Sequence, residues 1–284
     1  ESSTKSRLAV TDTPLFRTFA EQWVEEMRVQ WRQSHYDTIQ VTLKAYLVPT
    51  FGDQEVGRIT KTDILAFRSS LAKVPGRGGR ESLTASRINH IMTPLRMILN
   101  EAADRFEFTS PYRGIKSLKV PRTDVEPLSL EEVQRFLQAV RPDFRNYFTV
   151  RFFTAMRTAE IDGLKWQFVD FDNRLVLVRE TLVNGRTENT KNDGSQREIQ
   201  MSTPVLEALR VQHEATSGMS EYVFCTRSGA PLSRHNVMNR VWYPTLELLG
   251  LKRRRPYQTR HTAATLWLAA GESPEWIAHQ MGHT

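Results

Sequence analysis

Two arginines in separate segments of the sequence could bind an oxyanion. Arg157 lies in the segment 154–166, and Arg260 opens an Ala-rich stretch that ends at Gly271. A guanidinium group is planar and can donate two parallel hydrogen bonds to the oxygens of one phosphate. Two such groups can stabilise the negative charge that builds on a phosphodiester during nucleophilic displacement, with no metal ion required.

Other interpretations of the same region stay open. Arg157 and Glu160 are three positions apart and could simply form an ion pair on a helix surface. His279 and His283 have the spacing of paired zinc ligands, although no cysteine or third ligand accompanies them. A two-metal nuclease site would need a cluster of carboxylates. The candidates for such a cluster are Asp170, Asp172 and Glu180.

The composition indicates a globular protein with a polyanionic partner. The 284 residues carry a formal net charge of +7, and the isoelectric point near 9.7 favours nucleic acid as that partner. No apolar run is long enough to cross a membrane, and the first residues lack the pattern of a secretory signal. Cys225 is the only cysteine and cannot form an internal disulfide, so we expect a reducing, cytoplasmic location.

The first half of the chain predicts helices. Thr60 and Asp63 form a capping box at the start of one helix. Residues 88–102 carry a long apolar stripe at helical spacing, in which Pro94 should kink or split the helix. The expected organisation is an N-terminal tail over 1–11, a helical domain over 12–119, a linker over 120–128 and a second domain over 129–284.

The second half predicts a domain of helices and a few strands. Ser129 and Glu132 form a capping box that opens a helix. The stretch 174–200 holds a β-branched run, the turn dipeptide Asn184-Gly185 and a second turn at 192–194, which together predict a three-stranded antiparallel meander. The expected fold class is therefore mainly α with a small antiparallel three-stranded sheet.

Three short boxes in the second half resemble the catalytic boxes of the tyrosine recombinases, the phage integrase family. They are TAMRTAEIDGLKW around Arg157, RHT at Arg260, His261 and Thr262, and MGH at Met281, Gly282 and His283. Their order and spacing agree with the family. Lys191, within TKNDGSQREI, matches the family's catalytic lysine. By this resemblance residues 12–119 are a core-site DNA-binding domain and residues 129–284 are the catalytic domain.

The resemblance implies a role for each matching residue and requires no cofactor or metal. Arg157 and Arg260 would hold the scissile phosphate, and Lys191 would protonate the departing 5′ oxygen as a general acid. His283 would hydrogen-bond the phosphate. Tyr257 stands where the family usually has a histidine, and because a phenol does not titrate near neutrality, we expect it to position or donate one hydrogen bond. The family stores the bond energy of the cut strand in a 3′-phosphotyrosine.

The sequence departs from the family at its nucleophile. The family's nucleophilic tyrosine follows the Gly-His box, and this sequence ends at Thr284, directly after His283. Tyr222, Tyr243 and Tyr257 lie upstream and do not match the position of the nucleophile. We therefore expect a fragment of a phage or mobile-element integrase that does not cleave DNA by itself. The alternative is a DNA-binding relative that performs no strand cleavage.

Double-stranded DNA with attachment or core sites is the expected partner. Four consecutive basic residues precede the Arg260 box and could contact phosphates that flank the cleavage site. They are Lys252, Arg253, Arg254 and Arg255. Candidates in the helical domain, each of which could also be solvated surface, are Lys61, Thr62, Arg87, Asn89, His90 and Arg96. The resemblance also implies a homotetramer on DNA, and it allows an accessory DNA-bending protein as a further partner.

Overall fold

The computed structural model describes residues 12–76, 78–121, 124–183, 185–189 and 196–282. The chain divides into two compact units, Glu1–Arg122 and Thr123–Thr284. We call them the helical unit and the catalytic-box unit. Helices dominate both units and the strands belong to the second, which confirms the predicted fold class.

Five α-helices build the helical unit over its described residues. They are α1 (Phe16–Met27), α2 (Gln33–Thr42), α3 (Val48–Phe51), α4 (Lys61–Leu71) and α5 (Ala85–Arg105). The capping box predicted at Thr60 and Asp63 is present at the start of α4. Pro94 does not split α5, because buried side chains on both sides of it, Ile91 and Leu95 among them, hold the helix against one apolar core.

In the described part of the catalytic-box unit, eight α-helices account for most of the structure. They are α6 (Leu130–Ala139), α7 (Pro142–Thr154), α8 (Thr158–Asp162), α9 (Thr203–Thr216), α10 (Arg234–Val237), α11 (Tyr243–Leu248), α12 (Gln258–Ala269) and α13 (Pro274–Met281). The capping box at Ser129 and Glu132 opens α6 as predicted. An aromatic cluster in the core of this unit surrounds Trp242, which contacts Phe136 and Phe148.

The strands pair differently from the predicted meander. They are β1 (Val169–Asp170), β2 (Leu175–Val178), β3 (Glu180–Val183), β4 (Arg186–Asn189) and β5 (Arg197–Gln200). One antiparallel sheet has the order β1-β2-β5, and β3 and β4 form a separate antiparallel pair in which Val183 lies opposite Arg186. Asn184 of the first predicted turn lies outside the described residues. The meander was wrong because β2 pairs directly with β5, where Val176 lies opposite Ile199 and both are fully buried. The second predicted turn, at 192–194, lies outside the described residues.

A small apolar cluster attaches the last helix to α12. It contains Ala155, Ala263, Ile277 and Met281. Trp267 and Trp276 pack against this cluster. Their rings meet edge to face, with centroids 5.2 Å apart. This packing places the end of α13 beside the first turn of α12, where Arg260 lies.

Candidate functional site

Arg157 occupies the extended position that directly precedes α8. Glu160 accepts hydrogen bonds from the backbone N of Arg157 at 2.7 Å and from its Nη1 at 2.8 Å. The ion pair considered as an alternative is therefore present. The pair does not remove the guanidinium from the site, because Nη2 of Arg157 also donates to the carbonyl oxygen of Gly282 at 3.4 Å.

Arg260 lies in the first turn of α12 and is only 1% exposed. Its Nη1 donates to the carbonyl oxygen of Ala155 at 2.6 Å, and its Nη2 donates to the carbonyl oxygen of Met281. Burial, together with the positive charge of Arg157, lowers the pKa of Arg260 to about 10, so the side chain stays charged at neutral pH. Met281 and Gly282 are adjacent, and the two guanidinium groups therefore meet at the same turn.

A buried ion pair between Arg197 and Glu160 fixes the carboxylate that binds Arg157. Arg197 on β5 donates Nη1 and Nη2 to the two carboxylate oxygens of Glu160 at 3.1 and 2.9 Å. Its Nε donates to the carbonyl oxygen of Gln280 at 2.6 Å. Burial alone would raise the pKa of Glu160, but the hydrogen bonds and charge of Arg197 outweigh it and hold that pKa below its ordinary value.

Sequence reasoning missed Arg197, although the sequence holds a signal for it. Arg197 and Ile199 are two positions apart on one strand, so their side chains share a face. Ile199 belongs to the β-branched pattern that marks the core face. An arginine in register with that pattern is therefore a candidate for a buried, paired charge.

Gly282 makes the turn that follows α13. Its φ is +66°, in the left-handed region, and a Cβ atom there would lie 3.0 Å from Cδ of Arg197. Only glycine combines that backbone conformation with so close an approach. His283, which follows this turn, and Lys191 lie outside the described residues.

Tyr257 directly precedes α12 and is 49% exposed. Its ring packs edge to face on His261, with centroids 5.3 Å apart. Both residues line a cavity of about 550 Å³, together with Arg234 and Arg255. The phenol therefore stands at the surface beside Arg260, where a hydrogen-bond donor role is sterically open.

Contacts within the catalytic-box unit divide the basic run at 252–255. Lys252 pairs with Glu126, and Nη1 of Arg254 pairs with Glu132 at 2.9 Å. The guanidinium of Arg253 lies 3.7 Å from the ring centroid of Tyr243. Arg255 is exposed and lines the cavity beside Tyr257. Arg255 is thus the member of the run that lies nearest to the candidate site.

The six candidates of the helical unit also divide into two groups. Both amide atoms of Asn89 bond to the backbone of Leu118, each at 2.8 Å, and Arg87 covers the ring of Tyr46 at 5.7 Å. Asn89 therefore holds the segment after α5, and the DNA contact predicted for it stays a prediction. The exposed members of the set are Lys61, Thr62, His90 and Arg96.

The metal interpretations find no support in the part of the chain that the structure describes. Asp170 accepts hydrogen bonds from Asn173, and Glu180 pairs with Lys165 at 2.9 Å. His279 is exposed. No group of three possible metal ligands occurs among the described residues. In the same residues, no helix has the length and apolar character needed to cross a membrane.

Two family models match the chain. The model described as the phage integrase family matches residues 126–284, and the model described as the phage integrase central domain matches residues 16–94. Among curated proteins, the chain is 30% identical over 233 residues to the putative defective protein IntQ of Escherichia coli K12, covering 72% of the chain and 58% of IntQ. It is 25% identical to the prophage integrase IntR of the same strain, covering 100% of the chain and 77% of IntR.

Solved structures share the fold. The Tn1549 transposon integrase in complex with transposon right end DNA matches with a TM-score of 0.80 at 16% identity, over 95% of this chain and 92% of that one. A lambda integrase tetramer bound to a Holliday junction matches with a TM-score of 0.75 at 16% identity, over 100% of this chain and 83% of that one.

Proposed function

This chain belongs to the phage integrase family, and we propose that the protein carrying it is a site-specific DNA recombinase of a phage or mobile element. The reaction we propose is cleavage and rejoining of DNA strands through a 3′-phosphotyrosine. The observation that carries this proposal is the meeting of Arg157 and Arg260 at the turn formed by Met281 and Gly282.

The charge of the site suits a phosphodiester. Three guanidinium groups lie close enough to influence one another, and Glu160 is the carboxylate among them. Burial, and after it repulsion from Arg157 and Arg197, already lowers the pKa of Arg260. A phosphate between Arg157 and Arg260 would relieve that repulsion, and relief grows as negative charge accumulates in the transition state. The arginines thus bind and stabilise the phosphate, and no metal ion is needed for this step.

The remaining catalytic roles are proposed from the family resemblance. Lys191 would protonate the departing 5′ oxygen, His283 would hydrogen-bond the phosphate, and Tyr257 would donate a hydrogen bond from the edge of α12. The polypeptide 1–284 contains no tyrosine after Tyr257. We therefore propose that this polypeptide, taken alone, binds DNA without forming a covalent bond to it.

The two units would share the binding of double-stranded DNA. Residues 12–119 would act as the core-site binding domain, 120–128 as the linker and 129–284 as the catalytic domain. Phosphate contacts would dominate the affinity, and Arg255 in the second unit and Lys61 in the first are exposed cations suited to them. We propose assembly as a homotetramer on two DNA sites in the cytoplasm, with an accessory DNA-bending protein as a further partner.

Covalent capture on nicked attachment-site DNA tests the proposed reaction. The native gene product should form a denaturant-resistant DNA adduct in buffer containing EDTA. Arg157→Ala and Arg260→Ala should each lower the rate of adduct formation by roughly 100-fold to 1000-fold, because each removes charge stabilisation from the transition state. The exposed Arg210 on α9 provides the control, and Arg210→Ala should react like the native protein.

Three results would contradict the proposal. Adduct formation at the native rate in both arginine variants would remove the phosphate-binding pair. A strict requirement for a divalent cation would indicate a metal-dependent nuclease. Tight DNA binding with no adduct in the native gene product would indicate the DNA-binding relative that performs no cleavage.

A further inference from the structure

Arg151 on α7 has a buried guanidinium that is separate from those of Arg157 and Arg260. It is 2% exposed. Its Nη2 donates to Oγ1 of Thr158 at 2.6 Å and to the carbonyl oxygen of Pro256 at 3.2 Å. Its Nε donates to Oγ1 of Thr259 at 3.1 Å, and its Nη1 donates to the hydroxyl of Tyr147 at 2.8 Å. One side chain thus joins α7 to the starts of α8 and α12.

The residues that Arg151 holds are the sequence neighbours of the phosphate-binding arginines. Thr158 directly follows Arg157, and Thr259 directly precedes Arg260. We propose that Arg151 is a positioning residue, whose guanidinium ties Thr158 to Thr259 and thereby sets the spacing between the two arginines. This inference rests on the proposed function, since the spacing matters only if both arginines grip one phosphate.

The geometry of the guanidinium explains why arginine serves here. Its N–H groups point in fixed directions within one plane, so three segments bonded to it keep their relative positions. A lysine ammonium would supply donors without fixing their directions. A misplacement of about 1 Å in a site of this kind can slow a reaction by roughly 100-fold, so a rigid connector of this type affects the rate.

The charge of Arg151 is balanced through a neighbour. The hydroxyl of Tyr147 accepts from Arg151 and donates to Oδ1 of Asp162 at 2.7 Å. Within the described ranges, no carboxylate forms a direct ion pair with Arg151. A buried guanidinium without a direct counter-charge is a poor stabiliser compared with an apolar side chain of similar volume. Its presence here is therefore better explained by the three segments it connects than by core packing.

A matched pair of substitutions at Thr158 tests this role. Thr158→Val keeps the shape of the side chain and removes the hydroxyl, whereas Thr158→Ser keeps the hydroxyl. The two quantities measured are the rate of adduct formation at saturating attachment-site DNA and the Kd for the same DNA. Each substitution is made in the native gene product. We expect Thr158→Val to slow adduct formation by about 10-fold or more with Kd within about 3-fold, and Thr158→Ser to stay within about 3-fold for both.

Thr259→Val, alone and combined with Thr158→Val, shows whether the contacts of both threonines act through Arg151. If they do, Thr158→Val combined with Thr259→Val should slow the reaction little more than the stronger single variant, because the connector is already broken. Thr149→Val, which removes a hydroxyl elsewhere on α7, is the control and should change neither rate nor Kd. If Arg151→Lys folds, it should behave like Thr158→Val, because an ammonium group cannot reproduce the fixed directions of the guanidinium N–H groups.

The outcomes separate this inference from the proposed function. If the native protein forms the adduct and Thr158→Val reacts at the native rate, Arg151 has no positioning role. Equal losses in the Val and Ser variants, additive losses in the double variant, or a loss of affinity that parallels the loss of rate would each indicate ordinary packing. If the native protein forms no adduct, the proposed function fails, and this role fails with it.

Discussion

The two units bury very different side chains. Among the described residues of the helical unit, the buried polar side chains are Thr13 and Thr42, and none is charged. The described residues of the catalytic-box unit include five buried charged side chains. They are Arg151, Glu160, Asp162, Arg197 and Arg260. All five lie on or beside the elements that carry the candidate site.

This difference shows where stability is given up for function. Burial of apolar surface is the main favourable term in folding, and the helical unit relies on it throughout. A buried charge loses hydration that its partners only partly replace. Under the proposed function, the catalytic-box unit keeps such charges because a phosphate needs guanidinium groups held in fixed positions. The helical unit can leave its charged residues in solvent, where DNA would reach them without structural rearrangement.

Removal of one partner from the Glu160–Arg197 pair should have the largest effect on stability. Glu160→Gln leaves the guanidinium of Arg197 buried without its counter-charge, which we expect to lower the free energy of unfolding by about 3–5 kcal/mol. Urea unfolding at pH 7 measures the change. Glu207→Gln, at an exposed position on α9, should change the free energy by no more than about 0.5 kcal/mol. A loss in Glu160→Gln as small as in this control would mean that the buried pair contributes no more than a surface contact.

Truncation of an apolar core residue should affect both units alike. Leu95 in α5 and Leu209 in α9 are both fully buried. Leu95→Ala and Leu209→Ala should each lower the free energy of unfolding of their own unit by about 3 kcal/mol, from lost burial and the cavity left behind. Hydrogen exchange of amides in each unit measures the two losses separately. A much smaller loss for Leu209→Ala would show that the charged unit depends less on its apolar core than we infer.

The elements that follow from local chemistry were predictable, and those that depend on distant contacts were not. The capping boxes at Thr60 and Ser129 involve residues three positions apart, so sequence alone identifies them. The pairing of β2 with β5 skips the hairpin between them, and no local pattern distinguishes it from a meander. Of the kink or split expected at Pro94, the split does not occur, because tertiary packing keeps α5 continuous through the proline.

The site was predictable in its family motif and unpredictable in its support. The boxes around Arg157 and Arg260 identified the family, and the family models confirm that assignment. The catalytic roles of these residues stay predictions. Arg151 escaped notice because nothing near it in the sequence reveals that an arginine is buried. The local signal for Arg197 is that it shares a strand face with Ile199. The hydrogen-bond partners of both arginines are 37 or more positions away in several cases, such as Glu160 for Arg197.

The pH dependence of stability should differ between the two units because of Asp162. Burial raises the pKa of Asp162 from 3.8 to about 6, although the charge of Arg151 opposes the shift. Because the folded pKa lies above the unfolded value, the contribution of this group is complete below about pH 4 and is lost as the pH rises to about 6. The loss amounts to roughly 3 kcal/mol. The contribution of Glu160 to stability has the opposite sign. Because its pKa is lowered, it stabilises the fold at higher pH, and this stabilisation is lost as the pH falls.

Asp162→Asn should remove this decline. Urea unfolding of the native chain and the variant between about pH 4 and about pH 8 gives the difference in free energy at each pH. That difference should move in favour of the variant as the pH rises and become constant above about pH 7. Parallel curves for the two proteins would mean that Asp162 has an ordinary pKa and that the network around Tyr147 tolerates the charge. The helical unit, which buries no carboxylate among its described residues, should show no such window in its own hydrogen exchange.

The two capping boxes give the smallest effect and the strictest comparison. In each, a side chain accepts from the backbone N–H three residues later: Thr60 from Asp63 at 3.3 Å, and Ser129 from Glu132 at 3.1 Å. Thr60→Ala and Ser129→Ala should each lower the free energy of unfolding of their unit by about 1 kcal/mol, because a cap acts only on its own helix end. Hydrogen exchange within α4 and α6 measures both. Both caps are local contacts, so the two losses in free energy should be equal. They should differ only if Ser129→Ala also disrupts the ion pair between Glu132 and Arg254. A loss for Ser129→Ala well above that for Thr60→Ala would therefore place this cap within the charge network of the catalytic-box unit.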